Sequence, residues 1–170
     1  MKIFLIGLPG SGKSTLGRRL ADALMIEFVD LDSEIEKQEG KVIADIFHEK
    51  GEDHFRQIES GMLKSLAASS MNFVMSTGGG APCFYQGIDV INESGISIFL
   101  HVSTDEIIKR LKPSKDRPLL ETTDENERLE KLNVLQSKRL AIYQQATVII
   151  QDPTIEKLLE AVRLRKRTQP

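Results

Sequence analysis

At 170 residues, with 40% hydrophobic and 28% charged positions, the chain has the size and composition of one globular domain, and disordered or collagen-like classes are excluded. The 23 basic and 25 acidic residues leave a formal charge of −2, which gives no electrostatic sign of a nucleic-acid or anionic-membrane binder. The single cysteine, Cys83, excludes an internal disulfide framework and a Cys-based zinc site.

The opening run Met1–Ile6 is too short for a signal-peptide core and reads as a strand over Lys2–Ile6, so a cytoplasmic protein is expected. Further short apolar runs follow at Glu27–Asp30, Asn72–Ser76, Ser97–Val102 and Thr147–Gln151. Helical spacing fills the intervals, and this alternation predicts βαβ units around a parallel sheet. One apolar stripe runs through Leu16, Leu20, Ala23 and Leu24, and a second through Phe55, Ile58, Met62, Leu63 and Leu66. Ser33 with Glu36 and Ser103 with Glu106 have the spacing of capping boxes, and Gly40 and Gly51 are candidate helix stops. Residues 112–123 are polar, carry two prolines and precede a helical pattern over Asp124–Gln145; they read either as an exposed linker or as a mobile lid. Asp152-Pro153 suggests an N-cap followed by proline at the first helical position, opening a last helix through Val162. The basic stretch Arg163–Arg167 is expected to be its frayed end.

The strongest chemical signal is Gly7-Leu-Pro-Gly10-Ser11-Gly12-Lys13-Ser14, followed by Thr15, between a strand and a helix. It matches G-x-x-x-x-G-K-[ST], whose glycines turn successive backbone N–H groups onto a phosphate chain at a helix N-terminus. Lys13 is placed to neutralise the β- and γ-phosphates, and the Ser14 hydroxyl to reach Mg²⁺. The spacing disfavours a dinucleotide site.

Three further constellations follow. Asp30 and Asp32 stand two apart at the end of the second predicted strand, so both should project to one side. One carboxylate suits the water shell of Mg²⁺, and the other suits orienting or deprotonating an acceptor hydroxyl. Taken alone, Asp32 reads as a helix N-cap ahead of Ser33; beside a phosphate loop the functional reading is favoured. Gly78-Gly79-Gly80 follows Ser76-Thr77 and allows close approach of a ligand, with Ser76 in reach of the metal's water shell. Arg56, with Glu59 one turn on, Arg117 within the candidate lid, and Arg139 are forks suited to carboxylate or phosphate. The three histidines lack metal-ligand spacing.

The phosphate loop, D-x-D at Asp30–Asp32, F-R-x-x-E at Phe55–Glu59, the glycine triplet, R-P-L-L at Arg117 and R-x-x-x-Y at Arg139–Tyr143 occur in this order along nearly the whole chain. Together they resemble the shikimate kinase family, in the nucleoside-monophosphate-kinase-like branch of the P-loop fold. The resemblance implies one α/β domain over residues 1–170, a three-layer sandwich with a five-stranded parallel sheet in the order 2-3-1-4-5, flanked by helices, with a mobile lid. It places a substrate-binding helical region at about 33–62 and the lid at about 112–123. It implies transfer of phosphate from Mg-ATP to the 3-hydroxyl of shikimate by a monomer, with neither nucleic acid nor membrane as partner. Lys13, Asp32 and Arg117 would be catalytic, Asp32 as base and Arg117 on the transferring phosphoryl group. Gly10, Ser11, Gly12, Lys13, Ser14, Thr15, Arg110 and Arg117 would hold ATP, with Arg110 stacked near adenine. Asp32, Arg56, Gly78, Gly79, Gly80 and Arg139 would hold shikimate, the two arginines taking its carboxylate. Ser14 would ligate Mg²⁺, with Asp30 and Ser76 acting through water. One departure is Gln151-Asp152-Pro153-Thr154, where a basic residue near adenine is usual in the family.

Gluconate kinase shares the fold and the loop, but different acceptor motifs are expected there in place of the glycine triplet and R-P-L-L. The D-G-F-P-R type of motif expected of an adenylate kinase with this loop is absent. A nucleotide switch would need no second, anion-binding pocket.

Overall fold

A computed structural model describes residues 1–110 and 124–168. The candidate lid at 112–123, and Arg117 within it, lie outside the described residues. Five strands, β1 (Lys2–Ile6), β2 (Glu27–Asp30), β3 (Phe73–Ser76), β4 (Ile96–His101) and β5 (Val148–Gln151), form one parallel sheet. Its order is β2-β3-β1-β4-β5, as the resemblance implies. The central strand alternates, with Phe4 and Ile6 in the core on one face and Ile3 and Leu5 in the core on the other. Both faces are covered, which is why the strands read as unbroken apolar runs in the sequence.

Helices α1 (Lys13–Leu24) and α7 (Ile155–Thr168) close one face through Leu20, Ala21, Leu158 and Val162. Helices α2 (Leu31–Glu39), α3 (Ile43–Ala68), α4 (Gly87–Ser94), α5 (Thr104–Arg110) and α6 (Glu125–Tyr143) close the other, with Ile35, Leu63, Ile91, Ile107 and Tyr143 in its core.

Several boundaries differ from the sequence reading, each for a local reason. Ala21, not Ala23, completes the buried stripe of α1, because at 3.6 residues per turn positions 17, 20, 21 and 24 face the sheet and position 23 faces away. The cap of α2 is Asp30, whose carboxylate accepts from Ser33 N, so Ser33 is inside the helix and Asp32 lies in its first turn, not on the strand. Gly40 stops α2 as expected, and Gly51 breaks α3: its φ of 81° and ψ of 172° are non-helical, so two helical segments meet there at a kink. Helix α7 starts later than the Asp152-Pro153 signal suggests: Asp152 turns to φ 47° and the Thr154 hydroxyl accepts from Lys157 N. The same helix runs on to Thr168, so Arg163–Arg167 is helical.

Candidate active site

The sheet order leaves a crevice at the carboxyl ends of β1 and β3, where successive connections leave in opposite directions. A cavity of about 550 Å³ opens there. Nearly every described site residue predicted from the sequence lines it: Gly10, Gly12, Lys13, Ser14, Thr15, Asp30, Asp32, Arg56, Ser76, Gly78, Gly79, Gly80, Arg110 and Arg139. Ser11 is the exception; it is fully buried within the loop, its hydroxyl without a partner.

At the phosphate end the loop is a backbone device. Gly10 and Gly12 adopt φ of 84° and 95°, which a residue with a Cβ rarely takes. Lys13 is buried, and its ammonium donates to the carbonyls of Gly7 (3.0 Å) and Leu8 (2.9 Å), folded over its own loop. Beside it, Ser14 Oγ donates to Asp30 Oδ2 at 2.8 Å and lies 3.0 Å from Ser76 Oγ. One carboxylate and two hydroxyls therefore converge beside the phosphate cradle. Such a sparse set of hard oxygens fits Mg²⁺, which keeps most of its waters and binds chiefly through substrate phosphates. Among the described residues no cluster of three His, Cys, Asp or Glu offers an all-protein metal cage.

At the opposite end the cavity is lined by buried charge. Arg56 is only 4% exposed, Arg139 6% and Glu59 1%. The Arg56 guanidinium donates to Glu59 Oε2 (2.7 Å) through Nη1 and to Glu52 Oε1 through Nε (3.2 Å) and Nη2 (2.9 Å). Burial works against its charge, yet the two carboxylates more than offset that and raise its pKa. Glu59 is pushed up to about 7 by burial, against the pull of Arg56, and its other oxygen, Oε1, has no partner. Asp32, half-buried at the cavity wall, is raised to about 6 by burial and by Asp30, with Lys13 acting in the opposite sense. A carboxyl poised near 6 is ionised at neutral pH yet basic enough to accept a proton.

The glycine triplet joins these charges, and it does so by leaving room. None of Gly78, Gly79 or Gly80 has positive φ. A Cβ on Gly78 would stand against Glu59 Oε1 and 2.9 Å from Asp32 Oδ1; on Gly79 it would be 3.2 Å from Arg139 Nη1; on Gly80 it would be 2.5 Å from Arg56 Cζ. The space that the sequence reading reserved for a ligand is taken first by the site's own side chains. Tyr143, one turn beyond Arg139 on α6, donates its hydroxyl to the Gly79 carbonyl at 2.5 Å and so ties that helix to the triplet.

Phe47, Phe55 and Pro153 also line the cavity, and sequence reasoning gave them no such role. Phe55 looked like core because its spacing matches the apolar stripe of α3, and it is buried at 3% exposure. Pro153 belongs to the loop that lacks the usual basic residue. There the Lys157 ammonium folds back from α7 onto the carbonyls of Gln151 (2.8 Å) and Asp152 (2.9 Å).

Comparison with known proteins agrees with this geometry. The family model described as shikimate kinase matches residues 9–164. The shikimate kinase of Bacteroides thetaiotaomicron is 39% identical over 157 residues, covering 92% of this chain and 89% of its own. That of Persephonella marina is 42% identical over 148 residues, covering 87% of each. The solved structure of the Acinetobacter baumannii shikimate kinase in complex with shikimate superposes with a TM-score of 0.90 at 32% identity, covering 97% of this chain and 94% of the other. The backbone-built phosphate cradle, the buried arginines around a glycine triplet and these matches have one reading: the chain belongs to the shikimate kinase family.

Proposed function

We propose that the cavity transfers the γ-phosphoryl group of ATP to the 3-hydroxyl of shikimate, giving shikimate 3-phosphate and ADP. Membership of the family makes the protein a small-molecule kinase and a transferase of aromatic amino-acid biosynthesis. The observation that carries the detailed reading is the division of the cavity. One end is a backbone cradle for phosphates, and the other presents two buried arginines and a raised carboxyl to an anionic, hydroxylated acceptor.

In this reading Arg56 and Arg139 take the acceptor's carboxylate, and the triplet lets both approach it. Asp32 orients the reacting hydroxyl and receives its proton as oxygen bonds to phosphorus and ADP departs. Lys13 leaves its loop carbonyls for the phosphate oxygens. Ser14, with Asp30 and Ser76 through water, would hold Mg²⁺, which supplies charge neutralisation for the phosphates. We assign the adenine to Arg110 and Pro153, which both line the same cavity. Arg117, outside the described residues, is assigned to the charge on the transferring group. We read the chain as one cytoplasmic, monomeric kinase domain; no described helix is long and apolar enough to cross a membrane.

The test is ADP release from Mg-ATP with shikimate, gluconate, AMP and CMP in turn. Release with shikimate alone is the expected result. Release with another acceptor would overturn the roles of Arg56, Arg139 and the triplet. ATP binding without release for any of them would make the protein a nucleotide switch.

A further inference from the structure

Phe84 is an unusual residue to find where it is. It is 38% exposed, it lies outside the residues lining the cavity, and the ring contact it makes is with a buried cation: its centroid is 4.7 Å from Arg56 Cζ. The chain goes to some length to hold it there. Residues Ala81–Cys83 form a single 3₁₀ turn, and the two residues that follow Phe84, Tyr85 and Gln86, both take left-handed conformations with φ of 49° and 61°. A left-handed tyrosine is a strained conformation that surrounding contacts must hold in place. The chain then passes so close to itself that a Cβ on Gly87 would overlap the Ala81 carbonyl oxygen.

Around Arg56 the contacts are of two kinds. In the plane of the guanidinium, three of its five N–H groups are already given to Glu59 and Glu52, leaving two. Three aromatic rings also stand near it: Phe84 at 4.7 Å, Phe55 at 5.2 Å and Phe47 at 5.9 Å. Phe47 and Phe55 line the cavity; Phe84 reaches it only through the arginine. A cation over an aromatic face is attracted by the ring quadrupole, more strongly when desolvated as Arg56 is. The ring also limits rotation of the guanidinium, and that plane decides whether the two remaining N–H groups meet both oxygens of a carboxylate or only one.

We infer that Phe84 is a positioning residue for the acceptor's carboxylate, an aromatic plate that fixes the plane of Arg56 from outside the cavity. This rests on the reading in which Arg56 holds that carboxylate. The experiment measures kcat and KM for shikimate and for ATP in Phe84→Leu, Phe84→Tyr and Arg56→Ala. Leucine keeps apolar bulk without the ring face, so Phe84→Leu is expected to raise KM for shikimate about tenfold, the effect of roughly 1.4 kcal/mol. Its kcat should stay within about twofold and KM for ATP should not change, while Phe84→Tyr restores the wild-type values. An unchanged KM for shikimate in Phe84→Leu, equal behaviour of the leucine and tyrosine variants, or a joint loss of both substrates would overturn the inference. Arg56→Ala separates the two levels. If it too leaves KM for shikimate unchanged, the carboxylate reading fails and the inference with it; if it raises KM and Phe84→Leu does not, the inference alone fails.

Discussion

The two glycine runs of this protein look alike in sequence and do opposite things. In Gly7–Gly12 the glycines are needed for the backbone itself: Gly10 and Gly12 take positive φ, and a Cβ on Gly12 would meet nothing nearer than Leu16 Cδ1 at 3.7 Å. In Gly78–Gly80 the backbone is ordinary and the missing Cβ atoms are what matters, because Asp32, Glu59, Arg139, Arg56 and, from the phosphate loop, Pro9 stand in or against their places. The phosphate cradle itself is therefore made of main chain, which does not titrate, with Lys13, Ser14, Asp30 and Ser76 beside it for the charge and the metal. The acceptor end is made of side chains that are buried, charged and mutually dependent. A nucleotide can be held by geometry that many proteins share, whereas the acceptor needs a specific arrangement of charge.

The largest expected break between the two ends is Asp32→Asn. Turnover should fall by on the order of 10²–10⁴, the range for a positioned general base, while ATP binding stays nearly unchanged. The same change should stabilise the free protein. Asp32 has a folded pKa of about 6 against an unfolded value near 3.8, so the folded state binds more protons between those values. The stability this confers is complete below about pH 3.8 and lost as pH rises to about 6. Above that, the ionised Asp32 is a cost on the order of 1–3 kcal/mol that asparagine removes. Thermal unfolding at pH 8 without ligands should show a higher Tm for Asp32→Asn; a lower Tm would mean that the carboxylate is held by favourable contacts and not merely tolerated.

The next comparison sets Gly80→Ala against Gly12→Ala. In the first, the added methyl group displaces the Arg56 guanidinium, so kcat/KM for shikimate should drop about 100-fold, in the range that small misplacements cost, with KM for ATP within about twofold. In the second there is space but φ of 95° is unfavourable. The loss should then fall on ATP, by roughly the 1–3 kcal/mol of a strained backbone, or about 5- to 150-fold in affinity. If Gly80→Ala weakened both substrates equally, the triplet would be shaping the backbone after all.

How much of this was legible beforehand follows the same division. The phosphate loop and the strands Lys2–Ile6 and Glu27–Asp30 were readable to the residue because both signals are local: a motif with its flanking elements, and apolar runs covered on both faces. The residues of the acceptor end were also readable, as types at family-like spacing. Their pairing was not. That Gly80 makes room for Arg56 and Gly79 for Arg139 depends on how α3 and α6 pack against the end of β3, which no local pattern states. Asp30 and Asp32 were misplaced onto one strand face because Asp30 ends the strand and caps α2 with the same carboxylate that receives Ser14. Phe84 was invisible for a similar reason, since nothing in its neighbours reveals two left-handed residues.

A smaller effect should appear with pH. Asp32 and Glu59, raised to about 6 and 7, are the cavity-lining groups whose shifts bring them near neutrality, and both belong to the acceptor end. At saturating ATP, kcat/KM for shikimate should fall about tenfold per unit as pH drops below about 6, where Asp32 becomes protonated and can no longer accept a proton. Mg-ATP affinity should change far less than this between pH 7 and 8, above the range in which Asp32, whose charge Lys13 feels, and a terminal phosphate take up protons. A steep change in ATP affinity over that interval would tie the two ends together electrically and weaken the division drawn here.

The finest test is Tyr143→Phe, which removes one oxygen and leaves the packing. The hydroxyl is buried on α6, one turn from Arg139, and its donation to the Gly79 carbonyl fixes the distance between that arginine and the middle of the triplet. Burial keeps the phenol protonated by raising its pKa, so it remains a donor throughout the working range of pH. Removing it should cost about 1–2 kcal/mol of stability, because the Gly79 carbonyl loses a buried partner. Arg139 then gains a little freedom while Arg56, held by Glu52, Glu59 and the aromatic rings, does not. KM for shikimate should rise about two- to fivefold with kcat nearly constant. A larger rise than that of Phe84→Leu would mean that Arg139, the less encumbered arginine, carries most of the carboxylate's binding. A negligible one would mean that Gly79 is held by the strand that precedes it, and that the acceptor end owes its shape to β3 alone.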